Sequence, residues 1–222
     1  MAPILPWPAV DVAAKCQGGH VGHVFVRLSG YTVRLVPYWP YRFAHVDADP
    51  RAVEVTRWTA TGLATAVVDA THASPVADVV DILDGPSTGS WRIETSVFTA
   101  LWPDEFTIES SQDAADPTAF YLLSAGQAVI FPQGPLPAER VPSPADLVAV
   151  GQTLVDRWRV GGIEVVELEY QHEAERWWQS HWLIPHGDQH VLILTAQAPA
   201  REVTLTRAAA ELVATSVTPA AT

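Results

Sequence analysis

The sequence predicts an α+β chain: a β-rich region with one short helix over residues 1–90, then a mostly antiparallel sheet with helices packed on it over residues 91–222. Three observations carry this. Short β-branched and aromatic runs recur between Gly and Pro turns along most of the chain. Residues 191–194, Val-Leu-Ile-Leu, are apolar on both alternating faces, as in a strand covered from both sides. Two stretches, 143–160 and 200–217, space their apolar residues as helices do. With 222 residues and 48% hydrophobic side chains the chain can bury a sizeable core, and 17% charge keeps it far from charge-rich disorder.

Residues 1–20 read as irregular. No basic residue precedes Lys15 and no unbroken apolar run marks a secretory leader, so the cytoplasm is the expected compartment. No stretch approaches the ~20 apolar residues of a membrane span. Runs 21–28 and 31–36 flank Ser29-Gly30 and predict a hairpin, followed by a loop over 37–50 rich in aromatic residues. Runs 53–58 and 63–69 predict a second pair turning near Thr61-Gly62. A short helix follows, with Ser74 as N-cap, Pro75 in its first turn, Val76, Val79, Val80 and Leu83 at helical spacing, and Gly85-Pro86 as the stop. The turn-rich run 86–90 marks the boundary between the two regions.

Beyond it, 91–101 and 107–110 read as strands, and 120–123 with 128–131 as a hairpin. After a proline-rich connection over 132–142, Ser143-Pro144 opens a long helix. Leu147, Val150, Leu154, Val155 and Trp158 form its stripe, and Gly161-Gly162 ends it. Strands at 163–170, 176–184 and 189–196 form a meander. A closing helix over 200–217 buries Leu205, Ala209, Leu212 and Val213.

Two segments within this order carry a family resemblance. The step Leu101-Trp102-Pro103-Asp104-Glu105-Phe106 and the run Val191-Leu192-Ile193-Leu194-Thr195-Ala196-Gln197-Ala198, followed by a helix and Ser216-Val217, resemble the PsbP-like α/β/α sandwich family over residues 96–218. The resemblance implies a helix-covered sandwich. It also implies a binding module rather than an enzyme, since the family spans photosystem extrinsic subunits, small-GTPase-binding proteins, lipoproteins and toxin chaperones.

Charge and motifs narrow the function. The 25 acidic and 13 basic side chains are uneven: residues 1–90 hold eight and six, the remainder 17 and seven. A phosphate backbone would be repelled, which excludes nucleic acid as partner. The chain has no Gly-x-Ser-x-Gly elbow, no His-Glu-x-x-His pair and no phosphate loop, and its single Cys16 has no activating neighbours. No catalytic, cofactor or metal site is therefore expected. His20 and His23, and His181, His186 and His190 around one turn, read as surface or hydrogen-bonded histidines rather than zinc ligands. The stripe Glu164, Glu167, Glu169, Glu173 and Glu175 reads as the wet side of an edge strand rather than an acid–base pair.

Trp177, Trp178 and Trp182 lie within six residues, and large indoles beside acids suit protein docking. The candidate partner-binding residues are therefore Trp177, Trp178, Trp182, Glu167, Glu169, Tyr170 and His181. The expected function is that of a non-enzymatic cytoplasmic protein-binding module, chaperone- or immunity-like, whose acidic, Trp-rich sheet face takes a basic or hydrophobic segment of a protein partner. The alternative is a small-molecule-binding protein or enzyme with a pocket between the two halves, lined by Trp39, Tyr41 and Phe43 with His20 or His23.

Overall fold

A computed structural model describes residues 23–28, 41–46, 49–59, 61–69, 79–85, 92–95, 97–109, 116 and 118–220. Over these residues the chain is built mostly of antiparallel strands. They are β1 (His23–Leu28), β2 (Tyr41–Val46), β3 (Asp49–Thr59), β4 (Gly62–Asp69), β5 (Val79–Gly85), β6 (Arg92–Glu94), β7 (Phe98–Leu101), β8 (Phe106–Glu109), β9 (Tyr121–Ser124), β10 (Val129–Pro137), β11 (Gln152–Val160), β12 (Ile163–His172), β13 (Glu175–His186), β14 (His190–Pro199) and β15 (Thr218–Pro219). The α-helix among them, α1 (Val203–Ser216), is 14 residues long. Ten strands form one sheet in the order β11-β12-β13-β14-β10-β9-β8-β2-β3-β4, with β1–β5 as a separate ribbon and β15-β7-β6 as a small third sheet.

This is a β-rich fold. The α+β sandwich with helices packed on its sheet, expected over 91–222, does not form, because the first of the two helices predicted there gives way to strand β11; the short helix expected before residue 86 likewise gives way to β5. Over 143–160 the helix start signal acts for one turn only: the Asp146 and Leu147 N–H groups return to the Ser143 carbonyl, while the Ser143 hydroxyl donates to the Asp146 carboxylate at 2.6 Å. Gly151 then takes φ +87°, outside the helical basin, and β11 pairs with β12. Gly161 and Gly162 are the two-residue turn of that hairpin, both at positive φ as a type I′ turn demands.

The second lost helix is β5. It carries Val79, Val80 and Ile82 and pairs with β1 from His23–Gly85 to Leu28–Val79. The run 31–36, expected to pair with 21–28, lies outside the described residues, as do residues 74–78 of the predicted helix and the boundary 86–90.

The third helix forms and organises the core. Thr206, Ala209, Ala210, Val213 and Ala214 are its buried residues. Small side chains there let α1 lie close across β14 and against β7. Beneath it pack Trp178, Trp182, Leu192, Leu194, Ala196 and Ala198, and the same core takes in Phe98, Trp102, Phe106, Phe120 and Leu122. The Trp102 indole N–H donates to the Phe106 carbonyl at 2.7 Å, closing the Pro103-Asp104-Glu105 turn over its own ring.

Candidate binding surface

Register sorts the predicted site onto two faces of the sheet. Opposite residues of an antiparallel pair share a face. Glu167 faces Ser180 and Glu169 faces Trp178, while Val165 faces Trp182, which places Glu167, Glu169, Trp178 and Trp182 on the helix side. Tyr170 faces Trp177 and Val166 faces His181, on the other side. The seven residues therefore do not form one acidic, Trp-rich face.

On the helix side Trp182 is 1% exposed, packs edge-on against Trp158 at 6.3 Å, and donates its indole N–H to the Ser180 hydroxyl at 2.9 Å. Trp178 is 3% exposed, and the Arg207 guanidinium lies over its ring at 5.5 Å. The same guanidinium clasps Glu167 through two hydrogen bonds, Nε to Oε1 at 2.8 Å and Nη2 to Oε2 at 2.9 Å. Glu167 is buried, so Arg207 supplies the charge that its carboxylate needs. Beside this pair opens a cleft of ≈ 260 Å³ between the start of α1 and the ends of β11, β12 and β13. It is lined by Val155, Glu167, Glu169, Arg176, Trp177, Trp178, Ala200, Val203 and Arg207.

The acidic stripe is largely neutralised from within. Arg157 and Arg159 hold Glu164, Arg207 holds Glu167, Arg176 stands 3.9 Å from Glu169, and Arg201 holds Glu175 and lies 3.5 Å from Glu202. Five of the seven basic residues beyond position 90 are thus engaged with the glutamates they appeared too few to balance. Among the described residues Asp156 has no ion pair. Its carboxylate accepts the Arg157 backbone N–H at 2.7 Å.

The far face carries a buried polar chain. The backbone N–H of Ala149 donates to Gln152 Oε1 at 2.9 Å, which fixes the orientation of that amide. The Gln152 amide nitrogen then donates to Gln179 Oε1 at 2.8 Å, leaving the Gln179 nitrogen against His181 Nε2 at 2.7 Å. Nε2 must accept, so the imidazole is neutral with its proton on Nδ1, which donates to Thr195 Oγ1 at 3.1 Å. Burial also disfavours the imidazolium and lowers the His181 pKa to about 4. Nearer the end of the face, Trp177 stacks on Tyr170 at 6.2 Å and meets His172 edge-on at 5.7 Å. The Tyr170 hydroxyl donates to Gln197 Oε1 at 3.3 Å, and burial raises its pKa.

His181 does not converge with His186 and His190. Those two pair across the β13–β14 turn in register with Ile184 and Leu192, on the helix side. No group of three or more potential metal ligands occurs among the described residues. Trp39 and His20 of the alternative pocket lie outside those residues; Tyr41 and Phe43 stand on β2 and His23 on β1, with only their backbones described.

Sequence reasoning missed Arg207, which is 40 residues from Glu167. It also missed the outer edge of the sheet. β11 is the end strand, paired only with β12 among the described residues, and its Leu154 and Val155 are 47% and 51% exposed. A β-bulge interrupts its register, because Leu154 faces Leu168 while Asp156 faces Glu167, leaving Val155 without an opposite residue.

No family model matches the chain, and no curated protein matches it. Among solved structures, the crystal structure of LpqN, involved in cell envelope biogenesis of Mycobacterium tuberculosis, aligns at 18% identity with a TM-score of 0.27, covering 52% of this chain and 71% of that one. No helix among the described residues is long and apolar enough to cross a membrane.

Proposed function

We propose that this chain is a non-enzymatic protein-binding module that takes its partner at the β11 edge and the cleft beside it. One observation carries the reading: a nine-residue edge strand exposes Leu154 and Val155, and Val155 also lines a cleft walled by Trp177, Trp178 and Val203. An open edge offers a row of backbone donors and acceptors, and an adjoining apolar cleft offers side-chain pockets, the two elements by which extended polypeptides are recognised. A cytoplasmic setting belongs to this reading, in keeping with a single cysteine that can close no internal disulfide.

The test is affinity capture from the native host with the full chain and with a Leu154→Lys/Val155→Lys variant, followed by crosslink mapping. Both positions are exposed, so the variant keeps its fold, which circular dichroism checks. A stoichiometric partner retained by the parent, lost by the variant and crosslinked to β11 or the cleft supports the proposal. Equal recovery by both proteins, or crosslinks confined to other faces, would overturn it.

A further inference from the structure

We infer, resting on that reading, that the occupant of the β11 edge is an extended segment of a different protein that turns a basic and a neighbouring apolar side chain toward the cleft. Three features of the edge select this occupant.

The first is the sign of the charge on each face. Asp156 faces Glu167 and Thr153 faces Glu169, so both Asp156 and Glu169 belong to the cleft side and flank the bulged Val155. Asp156 has no ion pair among the described residues, and Glu169 has only Arg176 at 3.9 Å. The basic residues of the strand, Arg157 and Arg159, face Val166 and Glu164 in register and are held by the Glu164 carboxylate. A strand added along this edge therefore meets an acid without an ion pair, Asp156, on its cleft side, and arginines already engaged by Glu164 on the other.

The second is apolar surface at the middle of the same row. Val155 stands between the two acids with half its surface exposed, above a cleft walled by Trp178 and Val203. An added strand presents every second side chain to one face. A basic and an apolar side chain at positions i and i+2 of such a strand meet Asp156 and Val155, neighbours on the cleft side of the bulge.

The third feature argues against a second copy. Two β11 strands pairing antiparallel about a two-fold axis with all nine residues overlapped would be centred on Asp156. That register sets Asp156 directly against its own mate, at the ~5 Å spacing of opposite residues. Centring on Arg157 opposes two arginines, and centring on Trp158 sets Arg157 against Arg159 twice. Registers centred on Leu154 or Val155 run through the bulge, where the ladder is interrupted.

The experiment measures binding of the full chain to three labelled, end-blocked peptides by fluorescence anisotropy, with hydrogen exchange of the β11 amides as a second readout. The first has the sequence Thr-Lys-Thr-Val-Thr-Lys-Thr, the second has Glu in place of both Lys, and the third is the Lys peptide N-methylated at alternate residues. The Lys peptide is expected to bind and to slow exchange along β11. The Glu peptide is expected to bind about fivefold more weakly, the size of exchanging one exposed attraction at Asp156 for a repulsion. The N-methylated peptide is expected not to bind.

An Asp156→Lys/Glu169→Lys variant should reverse the preference between the Lys and Glu peptides. Equal affinity for the two peptides, no effect of N-methylation, or no binding of the Lys peptide each overturns the inference. The wider reading falls separately, when the capture experiment returns the same partners from the Leu154→Lys/Val155→Lys variant. A concentration-dependent dimer that protects the β11 amides would make a second copy the occupant and would also overturn the inference.

Discussion

Glu167 and Arg207 meet as a two-pronged ion pair in which the carboxylate is buried and the guanidinium, half exposed, roofs the ring of Trp178. The pair ties the first turns of α1 to β12 at the wall of the cleft. Arg207→Ala strands a buried carboxylate and removes the stacked guanidinium, and should cost about 2–3 kcal/mol, less than a fully buried pair because Arg207 is partly solvated. Glu167→Leu/Arg207→Leu should recover most of that loss. Urea unfolding midpoints at constant m-value measure both.

His181 makes stability depend on pH in a defined window. Its pKa falls from 6.5 in the unfolded chain to about 4 in the fold, so the unfolded state binds the proton first as pH drops. The contribution of the neutral imidazole is fully present above pH 6.5 and is lost progressively down to about pH 4, to a total of about 3 kcal/mol. In His181→Gln the slope of unfolding free energy between pH 6.5 and pH 5 should flatten relative to the parent. An unchanged slope would mean that His181 takes up its proton in the fold at the same pH as in the unfolded chain.

Glu202 locks the start of α1 to the β9–β10 turn. Burial pushes its pKa up, but hydrogen bonds from the Ser124 hydroxyl and the Gln127 and Ala128 N–H groups, with the Arg201 charge, outweigh burial and hold it below the ordinary value. Its stabilisation is thus complete above the unfolded carboxyl pKa and lost as pH falls through the folded one. A Cβ at Gly126 would collide with the Glu202 carboxylate, which its donors keep from swinging aside. Gly126→Ala should therefore cost about 1–2 kcal/mol. The cost should shrink in a Glu202→Ala background, as a double-mutant cycle of thermal melts would show.

The Gly161-Gly162 turn gives a local test of the β11–β12 hairpin. Both residues sit at positive φ with open space where a Cβ would go, so alanine meets backbone strain alone. Gly161→Ala and Gly162→Ala should each cost about 1 kcal/mol. Faster hydrogen exchange should be confined to β11 and β12, the strands that this turn joins.

The meander β12–β13–β14 and α1 were readable in the sequence because each satisfies one period only. Trp178, Ser180, Trp182 and Ile184 alternate against Trp177, Gln179, His181 and Leu183, while Ala209, Ala210 and Val213 recur at helical spacing. β11 was misread for a physical reason. The bulge sets Val155 and Asp156 on the same face and breaks the two-residue alternation, so the apolar positions imitate a helical stripe. Only the pairing with β12 decides between the two, and pairing lies outside any local window.

The candidate site was legible in its residue types and misjudged in its geometry. A count of glutamates against arginines reveals a surplus, but not that Arg207 reaches across from α1 to Glu167. Indoles at 177, 178 and 182 looked like docking area, yet strand alternation and α1 bury two of them. What stays open is β11, whose exposure follows from its place at the end of the strand order.

That strand order also sets how the chain must fold. From β11 to β14 every ladder joins neighbours in sequence through short turns, so the meander closes with little loop entropy. The next ladder, β10 on β14, brings Val129 to Gln197 across the whole meander and carries the link to β9 and β8. It is a long-range step, as are β2 on β8 and β7 on β15, and the folding rate should follow such contacts, Ile130 with Ala196 among them, rather than any hairpin. In kinetic terms, substitutions on the β10–β14 seam should slow folding, whereas those on β11 should mainly speed unfolding.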